Sequence, residues 1–278
     1  MTFFQASLLF IAAILGGTLN SVAGGGSFIT FPALIFTSVG AKVANATSTV
    51  ALWPGAVAST GAYRRELVKQ NRPLLVVLGV TSLIGGLLGA FLLVNTPQST
   101  FVLLIPYLLL AATLLFAFGP TITNWLKKRR APAGIPTGTN TSTGEAIVTT
   151  TAPGTLSMKI PVLVGISFLQ LIIAIYGGYF GGGIGILMLA TLGLMGMENI
   201  HEMNATKTLL TACINGVAVI TFIIKGLILW PQAIVMLIGA IIGGYAGAYY
   251  ARKLDPRWVR GFVILVGTVM TIYFFVFG

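Results

Sequence analysis

Charge is scarce in this chain. Only 8% of its 278 residues are charged, against 56% that are hydrophobic, whereas a soluble domain carries roughly 25% charged residues. The mean hydropathy is +0.97, which also excludes a disordered chain, because so apolar a chain does not stay solvated. The composition therefore predicts an all-helical polytopic membrane protein.

The residues that build disulfides, metal centres and catalytic sites are equally rare. There is one cysteine, Cys213, and one histidine, His201, so no internal disulfide forms and no metal-ligand spacing occurs. The acidic residues lie outside or at the ends of the apolar segments; they are Glu66, Glu145, Glu198, Glu202 and Asp255. We predict no cofactor, no metal and no enzymatic activity, because an intramembrane enzyme needs a nucleophile and base or a metal set within the bundle.

Twelve of the 16 basic residues, which raise the net charge to +11, cluster at the ends of apolar segments. The clusters lie at residues 64–72, 127–130 and 252–260. Cytoplasmic loops of membrane proteins carry such an excess of lysine and arginine. The basic charge therefore indicates topology, and we expect the lipid bilayer rather than nucleic acid as a partner.

The apolar segments occur in two similar halves. Residues 1–119 hold five segments and residues 160–278 hold five more in the same order, and the Thr-, Gly- and Pro-rich stretch 120–159 predicts a flexible cytoplasmic linker. Three motifs recur at offsets of 157, 159 and 158 residues. They are Gly24-Gly25-Gly26 with Gly181-Gly182-Gly183, Asn45-Ala46-Thr47 with Asn204-Ala205-Thr206, and Gly85-Gly86 with Gly243-Gly244. We infer an internal duplication into two transmembrane repeats.

The number of crossings decides how the repeats are related. If all five segments of each repeat cross the membrane, the second repeat is inverted and all three basic clusters face the cytoplasm. If the short segments 27–39 and 184–197 re-enter instead, the repeats are parallel and residues 252–260 lie outside. We predict the inverted arrangement, which is usual in secondary transporters, with a substrate site near mid-membrane where the repeats meet.

Each glycine run precedes a segment that is too short to cross a bilayer. Residues 27–39 would form about 20 Å of helix against a hydrocarbon core of about 30 Å. Glycines before such a helix let backbone N–H groups converge on a small anion at the positive end of the helix dipole. Alternatively, the glycines only allow close helix packing.

Among the cations, Lys207 is the one predicted to be internal. The pattern predicts Lys207 in the first turn of a helix that Asn204 caps, where a lysine opposes the helix dipole unless an anion neutralises both. The other interpretation is an ion pair with Glu198 or Glu202, or snorkelling to the interface. Asn45 is predicted to cap its own helix, with or without offering its amide to a ligand. A metal-cation carrier would be expected to place carboxylates in its pathway, and the spans contain none.

Taken in chain order, the motifs form a longer pattern. The first half contains Gly24-Gly25-Gly26-Ser27, Asn45-Ala46-Thr47-Ser48 and Trp53-Pro54, and the second contains Gly181-Gly182-Gly183, Asn204-Ala205-Thr206-Lys207 and Trp230-Pro231. This pattern resembles the TauE/SafE family of sulfite and organosulfur-anion exporters over nearly the whole chain outside the linker. The resemblance implies a multi-pass transporter of the bacterial inner membrane that moves small sulfur oxyanions out of the cytoplasm. One departure is that residues 188–194 lack a proline matching Pro32.

The predicted substrate site is made by the two glycine runs and the two Asn-Ala-Thr motifs. Backbone N–H groups and hydroxyls would donate to the anion, and Lys207 would supply the positive charge. The candidate residues are Gly24, Gly25, Gly26, Ser27, Asn45, Thr47, Ser48, Gly181, Gly182, Gly183, Asn204, Thr206 and Lys207. The predicted function is export of sulfite or a small sulfonate or other organosulfur anion, and the alternative is a channel or carrier for another small inorganic anion.

Overall fold

The computed structural model describes residues 1–22, 24–130, 160–195, 197, 199–250 and 256–277. These residues form eleven α-helices and no strand, which confirms the all-helical prediction. The helices are α1 Phe3–Val22, α2 Ser27–Phe36, α3 Ala41–Ala62, α4 Arg64–Val68, α5 Arg72–Asn95, α6 Gln98–Arg130, α7 Ile160–Tyr179, α8 Ile184–Leu194, α9 Ile200–Ile224, α10 Trp230–Tyr250 and α11 Pro256–Phe277. Within this part of the chain α1, α5, α9 and residues 230–247 of α10 are long and apolar enough to cross a membrane.

The two short helices form where the glycine runs predict them. The helix α2 has 10 residues and α8 has 11, so each is about half as long as a hydrocarbon core is thick. The helix α6 extends to Arg130 and therefore includes residues 120–130, which the sequence assigned to the linker. The rest of the predicted linker, 131–159, lies outside the described residues.

The short helix α2 lies at the centre of the main hydrophobic cluster. Phe28 and Phe31 are almost completely buried. The Phe31 ring packs edge-on against Phe180, with 5.8 Å between centroids, and stacks on Phe274 at 6.0 Å. Phe180 directly follows the second repeat's α7 and Phe274 lies in α11. The helix α2 therefore contacts the other repeat through Phe31, while it also packs against α1 and α3 of its own repeat.

Close helix packing explains the Gly-Gly pairs that recur within long helices of the two repeats. A Cβ built on Gly85 would approach Ala174 Cβ of α7 to 2.5 Å, and one on Gly86 would approach the Ile214 carbonyl oxygen of α9 to 2.7 Å. In the other half, a Cβ on Gly244 would approach the Gly55 carbonyl oxygen of α3 to 2.5 Å. The corresponding glycines of the two repeats therefore serve helix packing.

Helix packing is alike in the two halves. The helix α1 packs against α2 and α10, and its counterpart α7 packs against α8 and α5. The helix α3 packs against α10, and its counterpart α9 packs against α5. In addition α3 packs against α9, and α6 against α11. These pairings recur when the halves are exchanged, as expected for two repeats related by an approximate two-fold axis.

The central helices α3 and α9 run in opposite directions. Tyr63, directly after α3, packs with Ala205 near the start of α9. In mid-helix the Trp53 indole Nε1 donates to the Ala212 carbonyl oxygen at 2.9 Å. Leu229, which follows α9, donates from its backbone N–H to Thr47 Oγ1 near the start of α3 at 3.2 Å. This antiparallel course of two counterpart helices supports the inverted arrangement, whose orientation in a membrane stays a prediction.

Cysteine labelling tests that orientation. Arg65→Cys follows α3 and Lys225→Cys follows α9, and both positions are exposed. In a Cys213→Ser background, we expect Arg65→Cys to react only with a thiol reagent that reaches the cytoplasm, and Lys225→Cys only with an impermeant reagent added outside, because counterpart ends of inverted repeats face opposite sides. Labelling of both cysteines from one side would contradict the inverted arrangement.

Candidate functional site

Both glycine runs begin with the same left-handed turn. Gly24 has a φ of +79° and Gly181 a φ of +77°. The Gly24 N–H donates to the Leu19 carbonyl oxygen at 2.9 Å, and the Gly181 N–H donates to that of Tyr176 at 3.3 Å, each five residues earlier. Only glycine adopts this conformation at little cost. The turn ends the preceding helix and lets the chain start a short helix within the bundle.

The two glycine turns approach each other. A side chain at Gly24 would overlap Gly185 in the first turn of α8, and a Cβ at Gly181 would lie 3.9 Å from Ser27 Oγ at the start of α2. The starts of α2 and α8 therefore come together. Helix N-termini carry unpaired N–H groups and a partial positive charge, which favour an anion. The second run has a further positive φ at Gly183, of +76°.

Each Asn-Ala-Thr motif contacts the glycine turn of the other repeat. Asn45 Nδ2 donates to the Tyr179 carbonyl oxygen at 3.0 Å, two residues before Gly181. Lys207 Nζ donates to the Ser21 carbonyl oxygen at 3.0 Å, three residues before Gly24. Two hydrogen bonds between the repeats, one partly buried and one buried, therefore position the motifs beside the turns.

The predicted helix caps were wrong. The helix α3 begins at Ala41 after Gly40, and α9 begins at Ile200 after Asn199, whose Oδ1 accepts from the His201 N–H at 3.0 Å. Asn45 and Asn204 lie inside these helices, and Lys207 lies in the third turn of α9 rather than the first. The polar first turns obscured the true starts, because the apolar pattern begins only after them.

Lys207 is fully buried, with 0% of its surface exposed. The other lysines and arginines whose side chains the structure describes are partly or fully exposed. Its burial rules out snorkelling, and within the described residues no carboxylate pairs with it. Glu202 accepts instead from Gln70 Nε2 at 2.9 Å, so the predicted pairing with Glu202 was wrong; Glu198 lies outside the described residues. An ammonium has three donors, and here one of them has an acceptor.

The first motif has its polar atoms paired. Ser48 Oγ, at the position equivalent to Lys207, is 2.6 Å from Thr30 Oγ1, and Thr30 Oγ1 also donates to the Gly26 carbonyl oxygen at 3.2 Å. Thr47 Oγ1 accepts from the Leu229 N–H just before α10. Residues two apart on a helix do not share a face, so Thr47 is turned away from Asn45 and the glycine turn. The structure therefore does not bring Thr47 to the predicted site.

The second motif has unpaired polar atoms. Asn204 Oδ1 and Thr206 Oγ1 are buried and have no hydrogen-bond partner. Asn204 is three residues from Lys207 and shares its helix face, whereas Thr206 lies on another side of α9. A buried polar atom without a partner is destabilising. The Asn204 and Lys207 face of α9 is therefore the part of the predicted site with spare hydrogen-bonding capacity.

Several contact residues had no signal in the sequence. Ser21 and Tyr179 contribute main-chain carbonyl oxygens, which any residue type carries. Gly185 is part of the contact between the turns but is one of 35 glycines. The Thr30 hydroxyl lies in a short apolar helix, where the internal repeat offers no hydroxyl counterpart.

Four apolar helices that could cross a membrane define a membrane protein, and a buried lysine between two repeats is what a transporter of this kind is expected to contain. Comparison with known proteins identifies the family. The model of the sulfite exporter TauE/SafE family matches residues 9–274, so the chain belongs to this family of membrane transporters.

The relatives are similar over almost their whole length. A probable membrane transporter protein of Haemophilus influenzae is 26% identical over 95% of this chain and 92% of its own. The probable membrane transporter protein ORF9 of a Sinorhizobium species is 24% identical over 98% and 93%, and YfcA of Escherichia coli K12, also a probable membrane transporter protein, is 26% identical over 95% and 87%. No solved structure matches.

Alanine substitutions at three glycines test the turn geometry. Gly24→Ala meets both a positive φ and the backbone of Gly185, whereas Gly181→Ala meets the positive φ with more space. We expect Gly181→Ala to lower the free energy of unfolding by about 1–2 kcal/mol and Gly24→Ala to lower it further. The control Gly79→Ala lies in α5 with nothing within 4 Å and should be neutral or mildly stabilising. Thermal unfolding in detergent measures the order, and equal effects at Gly24 and Gly79 would contradict it.

Proposed function

We propose that this transporter exports sulfite or a small sulfonate or other organosulfur anion across the bacterial inner membrane. The observation that carries the proposal is Lys207, a fully buried lysine with one carbonyl acceptor and, within the described residues, no carboxylate partner. Buried charges in membrane proteins are costly and are usually functional. An anion bound at Lys207 removes that cost.

The neighbouring groups suit a small oxyanion. The starts of α2 and α8 lie together where the glycine turns meet, and both helix dipoles favour negative charge there. Ser27 adds a hydroxyl at the start of α2. The Gly24 N–H already donates to Leu19, so Gly25, Gly26 and Ser27 would supply the backbone N–H groups for the oxyanion.

The contacts between repeats suggest how binding is coupled to movement. The Lys207 bond to the Ser21 carbonyl oxygen and the Asn45 bond to that of Tyr179 each join one repeat to the other. A bound anion attracts the Lys207 ammonium and competes with Ser21 for its donors. Binding would therefore weaken one of the hydrogen bonds between the repeats, as alternating access by relative movement of repeats requires.

Substitution of Lys207 tests the proposal. Lys207→Met keeps the length and apolar character of the side chain and removes its charge. We expect anion binding to weaken by about 1–3 kcal/mol, the range for hydrogen bonds to charged groups, and Lys207→Arg to retain part of the affinity. Sulfite flux into proteoliposomes and calorimetric binding measure these effects.

Lys225→Met is the matched control. It removes an exposed lysine that follows the same helix and should leave binding and flux unchanged. If folded Lys207→Met transports sulfite with unchanged affinity, Lys207 does not bind the anion. If the wild type transports chloride or nitrate but neither sulfite nor sulfonates, the chain is a channel or carrier for another inorganic anion.

A further inference from the structure

We propose that the Lys207 site selects anions by charge, accepting those with one negative charge over dianions and neutral molecules of the same shape. The inference rests on the proposed function, because it takes Lys207 as the group that binds the transported anion. It adds the charge class of the substrate, so that sulfite would bind in its singly protonated form, hydrogen sulfite. It also adds a second residue, Ser48, that determines this class.

The described bundle buries a single positive charge. Lys207 is the one fully buried cation among the side chains that the structure describes. Lys42, which is partly exposed, has its Nζ occupied by the carbonyl oxygens of Val94 at 2.6 Å and Thr96 at 2.7 Å, at the end of α5. A monoanion at Lys207 leaves the buried pair neutral, whereas a dianion leaves one unneutralised charge, which is strongly penalised away from water.

The duplication has placed a lysine in only one of its two equivalent half-sites. Asn45 and Asn204 correspond in the two repeats, and three residues later one repeat has Ser48 and the other Lys207. Ser48 is neutral, 1% exposed and bonded to Thr30. The first repeat therefore supplies no second cation at the place where the internal symmetry would put one.

The acceptors around Lys207 also disfavour a second negative charge. The Ser21 carbonyl oxygen lies 3.0 Å from Nζ. Asn204 Oδ1 is unpaired in a residue that is 6% exposed, on the same helix face. Both oxygens carry partial negative charge and accept hydrogen bonds. They repel a doubly charged oxyanion more strongly than a singly charged one.

Three tetrahedral sulfur compounds of similar size separate charge from shape. Dimethyl sulfone is neutral, methanesulfonate is a monoanion and sulfate is a dianion at neutral pH. With purified full-length protein, we expect methanesulfonate to bind and to inhibit sulfite flux. The dissociation constants of sulfate and dimethyl sulfone should be about 100-fold or more higher than that of methanesulfonate, because neither compound neutralises a single buried positive charge. Sulfate binding within about tenfold of methanesulfonate would overturn the inference.

Charge variants test the two half-sites. Ser48→Lys adds a second ammonium and should shift the preference toward sulfate, whereas Ser99→Lys adds the same charge at an exposed position and should leave the preference unchanged. Lys207→Met should lose the preference for methanesulfonate over dimethyl sulfone. Retention of that preference in folded Lys207→Met would overturn the inference even if Ser48→Lys does not fold.

The outcomes separate this inference from the proposed function. Equal binding of methanesulfonate and sulfate, together with sulfite transport, overturns charge selection and leaves sulfur-anion export standing. Binding of nitrate and methanesulfonate but not of sulfate, without transport of sulfite or a sulfonate, overturns the proposed substrate and supports selection of monoanions. Binding of no anion by folded protein overturns both.

Discussion

A positive charge buried in an apolar bundle must find a hydrogen-bond acceptor or a counter-ion, because lipid offers neither. Lys207 meets this constraint by donating to the Ser21 carbonyl oxygen of the other repeat. That oxygen lies at the end of α1, where the helix is about to enter the left-handed turn at Gly24. The burial of one lysine is thus linked to the end of a helix, the glycine turn after it and the contact between repeats.

The glycine turns make this arrangement sterically possible. Each turn ends a long helix inside the bundle and begins a helix of about half the membrane thickness. At Gly24 the absence of a side chain is required twice, once for the positive φ and once for the contact with Gly185. Two helix N-termini therefore lie beside a buried ammonium, which concentrates positive potential in one region of the bundle.

The two repeats share their helix packing but differ in the hydrogen bonding of their polar side chains. The same helix pairings and the same turn hydrogen bonds occur in both halves. The polar side chains differ, however: Asn45, Thr47 and Ser48 have partners within the protein, whereas Asn204 and Thr206 keep unpaired oxygens. The first motif thus serves to hold the repeats together. In the second, Lys207 has one acceptor within the described residues for its three donors, and this is the capacity that an anion can fill.

The sequence by itself determined a helical membrane protein, two repeats, two short helices after glycine runs and one internal lysine. Hydropathy, repeat offsets and the end of a helix at glycine are local or periodic properties, so they can be read without coordinates. The helix starts were misjudged at Asn45 and Asn204, because polar first turns at Lys42 and His201 resemble loops.

Only the tertiary structure decided which groups face one another. Asn45 reaches a carbonyl oxygen 134 residues away and Lys207 one 186 residues away, and a main-chain oxygen leaves no mark on the sequence. Helix spacing alone separates Thr47 from Asn45 and puts Asn204 on the face of Lys207. Packing decided that the polar groups of the first motif find partners while Asn204 Oδ1 and Thr206 Oγ1 do not, although the residue letters of the two motifs are nearly the same. These distinctions depend on packing between repeats, where each helix face meets a different partner.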